Sequence, residues 1–249
     1  MKSMTLWTAV TLLITGKFIA AQAAEIELGA GMVHFVTPYK SMTSEQVVLP
    51  WIAYQGERFS FKGLEAGYRL TNEHPIQMSA KLAPAAGYFD PSKAKDPAIG
   101  ALDKRRFSYL AGVELAYQRG NYQTRASLMT DITNTHHGIT SAVTVGRAFQ
   151  WESLGLVVMP ELSLHYWDTK ISNYYYGISE AEASRSGLNS YQANSRFRVQ
   201  SGITVMKATS ANSKLLISSQ FARFIGTHQS EMVDSQSFYT LVAGWVYRF

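Results

Sequence analysis

Chemistry in this chain would have to come from histidine, serine and carboxylate side chains, because its 249 residues include no cysteine. The densest such group is His136 and His137 with Asp131 close before them. A metal site needs three or more converging donors, and adjacent histidines on a strand point to opposite faces. The group therefore reads as a polar loop rather than as a metal or catalytic pair. Ser163 and His165 would share one face of a strand. Acyl-transfer chemistry needs a nucleophile, a base and an acid converging on one point, and no motif here marks a nucleophile. The sequence offers no catalytic residue, no cofactor site and no metal site.

A second group is electrostatic. Lys81, Arg106, Glu114, Arg125, Asp131, Glu161, Arg196 and Arg198 fall on the polar faces of alternating segments, with both signs on neighbouring ones. Charges pointing into a narrow barrel need partners or water. Two readings follow: a salt-bridge network that plugs the lumen, or a constriction selecting small ions or solutes and favouring anions through Arg196 and Arg198. The run Tyr174, Tyr175 and Tyr176 also has two readings. It is either a packing cluster that pins a loop to a rim or an exposed binding patch.

These residues must be positioned by strands, because apolar residues recur with period two along nearly the whole chain. Leu154, Leu156, Val158, Leu162, Leu164 and Tyr166 oppose Ser153, Gly155, Glu161, Ser163 and His165. In the closing stretch, Tyr239, Leu241, Ala243, Trp245, Tyr247 and Phe249 make one apolar face, and Thr240, Gly244 and Arg248 lie on the other. A soluble barrel shows the same period with its greasy face inward. Here the second face is rich in Gly, Ser, Thr and Gln, unlike the charged coat of a soluble domain. Aromatics such as Phe107, Tyr117, Tyr166 and Trp167 cluster at strand ends, as in the girdles of membrane barrels.

The alternation predicts an all-β, antiparallel transmembrane barrel of about twelve strands. They lie near 25–36, 46–55, 58–62, 64–70, 75–87, 106–119, 121–132, 138–149, 153–167, 193–206, 213–225 and 237–249. Ten is the alternative if 58–70 is a folded-over loop. Breaking 58–70 at Gly63 makes short and long connections alternate, which places both termini on the periplasmic side. Long loops are expected at 37–45, 88–105, 169–192 and 226–236. Within 169–192, Ser179 and Glu182 form a capping box and Gly187 a stop, so one short helix is expected there. Pro84, Pro160 and Arg147 fit the ideal pattern poorly.

The first residues carry Lys2, an apolar run from Leu6 to Ile14 and the small-residue stretch Ala20–Ala24, the pattern of a cleaved secretory signal. We therefore expect a signal peptide over 1–23 and one barrel domain over 24–249. The apolar run is too short to span a bilayer as a helix. The net charge of +5, or +3 without Lys2 and Lys17, is too small and scattered for nucleic-acid binding.

Three separated blocks carry a family resemblance. They are Val48-Leu49-Pro50-Trp51-Ile52, the segment from Arg58 to Tyr68, and the loop from Asn173 to Tyr191. Together with the closing strand they resemble the MltA-interacting protein / outer-membrane protein V (MipA/OmpV) family. The resemblance implies a non-enzymatic barrel in the outer membrane of a Gram-negative bacterium. It also implies that Tyr247 and Phe249 belong to the insertion signal read by the barrel-assembly machinery. The expected surroundings are membrane lipid and lipopolysaccharide, with the chain as a monomer. One member is described as a scaffold for murein enzymes in the periplasm. Others are linked to osmotic or antibiotic response, which suits a porin-like channel, or to adhesion, here through the 169–192 loop.

Overall fold

The computed structural model describes residues 24–71, 73–85, 87–226 and 230–249; the expected signal segment lies outside the described residues. Thirteen strand segments follow one another: β1 (Glu25–Val36), β2 (Glu45–Gln55), β3 (Phe59–Lys62), β4 (Glu65–Arg69), β5 (Ile76–Pro84), β6 (Tyr109–Arg119), β7 (Tyr122–Asp131), β8 (Ile139–Arg147), β9 (Phe149–Trp151), β10 (Leu156–Trp167), β11 (Arg196–Ala208), β12 (Ser213–Phe224) and β13 (Ser237–Arg248). Every pairing is antiparallel, and β13 pairs with β1, so the sheet closes on itself. β8 and β9 are two pieces of one strand interrupted at Ala148, since both pair with β10. The barrel is therefore twelve-stranded.

The interruption accounts for Pro160. Its strand pairs with β9 through Leu156, Val157 and Val158 and with β8 from Glu161 onward. Proline has no N–H to give a ladder and occurs at edges and bulges; Pro160 stands where that ladder is already broken. Arg147, on the outer surface beside the break, lies over the rings of Tyr122 and Phe149 at 4.8 and 4.7 Å. Its apolar stem can follow the lipid while the guanidinium reaches the interface.

Burial follows the alternation. Trp245 is 47% exposed and its neighbour Val246 only 1%, so the aromatic face of β13 looks outward. Phe249 donates its N–H to Ile26 O at 3.0 Å, and its ring meets Tyr247 at 4.9 Å. Inside, Val33, Phe35, Leu216 and Val242 form a buried apolar cluster, joined by Val47, Leu49 and Met206. These side chains make one apolar wall across β11, β12, β13, β1 and β2.

The wall is uneven in height. β3 and β4 contain 4 and 5 residues, about 13 and 17 Å at roughly 3.3 Å per residue. The apolar band of a membrane barrel is about 25 Å tall. β2 pairs with β3 only from Ala53 to Gln55, and β5 pairs with β4 only from Ser79 to Leu82. Beyond Gly63 (φ 60°), at the tip of the β3–β4 hairpin, no strand among the described residues lies between the upper parts of β2 and β5. Pro50 and Pro84 lie on the strands that border it.

The long connections gather at one end, together with α1 (Pro97–Gly100), α2 (Thr169–Tyr176) and α3 (Glu180–Ser186). The expected capping box opens α3, and Gly187 closes it with φ 76°. The helix α2 was not expected. Its start is set by Asp168, whose carboxylate accepts the Ile171 N–H at 3.0 Å. The strand expected at 106–119 begins only at Tyr109. Ahead of it, Phe89 and Arg105 bridge across the 85–108 loop.

Candidate functional site

Two places collect the polar and aromatic side chains that could act: the loop-built mouth and the lumen below it. The mouth is a small hydrophobic core of its own. Tyr39, Phe89, Ile99, Leu102, Ile171, Tyr175, Tyr176, Ile178 and Met232 come from four different loops and pack on Trp167 and Phe224 at the strand tops. The Trp167 and Tyr176 rings stack at 6.1 Å, and Tyr39 meets Phe89 at 4.8 Å. Rings in such a cluster are worth more than their buried area alone. Of the tyrosine run, Tyr175 and Tyr176 are buried and Tyr174 is half-buried, all within or against this core.

A buried ion pair ties two of the loops together. Arg105 Nη2 donates to Glu182 Oε1 at 2.8 Å and to Gly177 O at 2.9 Å. Glu182 also accepts the N–H of Asp103 at 2.8 Å and the N–H and hydroxyl of Ser179, each at 2.9 Å. Burial opposes ionisation of Glu182. The backbone donors Ser179 and Asp103, with Arg105 alongside, outweigh it and hold the carboxyl below its usual range. A capping residue legible in sequence thus doubles as the clasp between α3 and the 85–108 loop.

His136 sits against the same core, its ring 5.8 Å from that of Tyr175, beside Ser108 and Asp131. The Gly138 N–H donates to His136 Nδ1 at 2.9 Å, so Nδ1 carries the lone pair and Nε2 the proton. Nε2–H then donates to Ser108 Oγ at 3.0 Å, Ser108 to Tyr175 Oη at 3.3 Å, and Tyr175 to Arg106 O at 3.3 Å. A catalytic serine needs the opposite tautomer, with Nδ1–H toward the acid and a free Nε2. Asp131 lies 3.8 Å from Nδ1, and its oxygens accept the N–H groups of Thr133, Thr135, His136 and His137. Ser108 is fully buried. The triad-like trio is an anchor for the 132–138 turn. Burial pushes the His136 imidazole below its usual pKa despite the nearby Asp131.

In the lumen, Lys81 Nζ lies 3.5 Å from Glu114 and 3.9 Å from Glu65. Arg125 meets Glu161 at 2.8 Å, and Gln123 donates to the same oxygen at 2.9 Å. Arg196 donates to Tyr191 Oη at 2.5 Å, and Arg198 lies over Trp167 at 5.3 Å. Asp131 serves the turn just described. Arg106 is exposed on the loop and does not point into the lumen. The irregular backbone between Arg105 and Ser108 shifts the alternation, so Arg105 takes the buried position. Glu65 and Lys214, which pairs with Glu27 at 2.5 Å, complete the inward pairs. Among the described residues, no three His, Cys, Asp or Glu side chains are grouped to hold a metal.

The pattern of the MltA-interacting protein MipA family matches residues 28–249. The chain belongs to this family. It is similar to "Putative outer membrane protein YiaT" of Escherichia coli (strain K12), 29% identical over 231 residues, covering 92% of this chain and 93% of the relative. It is also 29% identical over 183 residues to the MltA-interacting protein of the same organism, covering 74% of this chain and 73% of that one. Among solved structures, the NanC porin covers 90% of this chain and 99% of its own at TM-score 0.45 and 7% identity. Likeness at that level carries over no solute or pore. Family and fold place this member of the MipA family in the outer membrane as a β-barrel.

Proposed function

We propose that this barrel is non-enzymatic and non-conducting, and that it serves as a scaffold for murein-synthesis and other envelope proteins at its periplasmic end. The observation that carries this reading is the loop-built core at the mouth, which packs aromatic side chains across the entrance a solute would use. The inward pairs Lys81–Glu114 and Arg125–Glu161 support it from below. The relative named for its interaction with MltA supports the choice of partner. In this reading the chain is a monomer among lipid and lipopolysaccharide, delivered by the barrel-assembly machinery through Tyr247 and Phe249. Cross-linked envelopes are the test: a pulldown should recover a murein enzyme, and its repeated absence would remove the scaffold role.

One observation favours an anion channel instead. Arg198 is 7% exposed, and its Nε has no hydrogen-bond partner among the described residues. Planar-bilayer recordings separate the two readings. Silence supports the scaffold, whereas steady conductance that changes in Arg198→Ala establishes the channel.

A further inference from the structure

The low wall at β3 and β4 faces the bilayer. At their base, β2 and β5 are three inter-strand spacings apart, about 14 Å. Above the β3–β4 hairpin that interval has no strand in it among the described residues. Val48, on the bordering stretch of β2, is 75% exposed. The gap has a roof. Lys93 of the 85–108 loop pairs with Glu45 at 2.6 Å, and the Lys95 N–H donates to Ser41 O at 3.2 Å. It also has a floor at Lys62 and Trp51.

The floor is polar and the inner wall apolar. Lys62 Nζ lies 5.3 Å from the Trp51 ring centre. Of the acids around it, Glu161 pairs with Arg125 and Glu27 with Lys214, and Glu65, its cross-strand neighbour on the hairpin, is shared with Lys81 at 3.9 Å. The Trp51 indole N–H is buried with no acceptor among the described residues. Directly above, Leu49 and Val47 continue into the apolar cluster of Val33 and Val242. A cation and a spare N–H donor at the foot of an apolar strip match a carboxylate at the end of a hydrocarbon chain. An open strand edge can also accept another strand, but Pro50 and Pro84 on the two borders make poor ladder partners.

We infer that the gap between β2 and β5 is a lateral port for a fatty-acid-like amphipathic anion. It enters from the outer leaflet with its head at Lys62 and Trp51 and its chain along the partly buried Val47 and Leu49. The port is independent of the scaffold role, because it uses the membrane-facing wall and not the periplasmic rim.

The test uses the full barrel in nanodiscs of phosphatidylethanolamine and phosphatidylglycerol, with stearate carrying a nitroxide near its methyl end as the probe. Electron paramagnetic resonance should show a saturable immobilised population. Losing one charge-assisted contact weakens binding by about tenfold, so the methyl ester and Lys62→Met should each show that loss. Trp51→Phe should show a smaller loss with the fold intact by circular dichroism. Leu49→Asn should weaken the acid and the ester alike. The inference is overturned by the absence of a saturable population. It is equally overturned by the same immobilised population in wild type, Lys62→Met, Trp51→Phe and Leu49→Asn, which would be annular lipid.

Discussion

Replacing Arg105 with methionine keeps a long side chain at the mouth and removes its charge. Two hydrogen bonds are lost, to Glu182 Oε1 and to Gly177 O. Glu182 is 3% exposed and would keep its donors from Ser179 and Asp103 while losing the adjacent cation. Breaking a buried pair costs about 3–5 kcal/mol. The remaining donors put this case at the low end, about 3 kcal/mol. At roughly 1.36 kcal/mol per decade, the opening equilibrium of the mouth should rise by about two orders of magnitude. Hydrogen exchange reads this directly, because the Asp103 and Ser179 amides both donate into Glu182. Their exchange should speed up by that factor, while amides of β13 stay as slow as in the wild type. The pH dependence adds a second reading. The Glu182 carboxyl is held below its ordinary value, near about 4.3 when free. Its contribution is therefore complete above that value and fades as pH falls through the folded one. In Arg105→Met the fading should be smaller and should be complete at a higher pH. Exchange within about threefold of wild type, roughly 0.65 kcal/mol, would refute the role given to this pair.

His136→Phe strands the Ser108 hydroxyl without its donor and should loosen the 132–138 turn by about 1–3 kcal/mol, visible as faster exchange at Gly138. Because burial lowers the His136 pKa, protonation favours the open turn. Wild-type protection there should hold above about pH 6.5 and decline on acidification, a decline absent from His136→Phe. Glu161→Gln leaves Arg125 facing a neutral amide inside the barrel and should lower the urea midpoint by an amount equivalent to about 1–3 kcal/mol. Deleting Phe249 should reduce the amount of barrel assembled in cells while barely changing the stability of refolded protein, since that side chain is 70% exposed. Equal losses in both assays would make it a packing residue instead.

The strands were legible because each side chain either meets lipid or does not, and that writes a period of two into the residues. Trp245 beside Val246 shows the contrast within one step. The Ser179–Glu182 cap was legible for a similar reason, since it is local and its spacing is fixed by one helical turn. Three features escaped for physical reasons. The α2 segment, Thr169 to Tyr176, has no helical apolar stripe that stands out, because its aromatic rings serve the mouth core in three directions. Arg105 and Arg106 are indistinguishable by type, and which of them turns inward depends on how the backbone bends before Ser108. The two short strands around Gly63 were readable. The opening they leave depends on register with β2 and β5, which no local pattern encodes.

The core at the mouth also bears on how this protein can change over time. Surface loops of bacterial barrels face antibodies and phages, and loops normally vary freely because little depends on them. Here Tyr39, Phe89, Tyr176 and Met232 sit on separate loops yet share one packed interior. A substitution that suits one loop must suit the other three. Escape variants should therefore collect at solvent-facing positions such as Glu180 and Ser190, leaving the interior residues to drift only as a coordinated set.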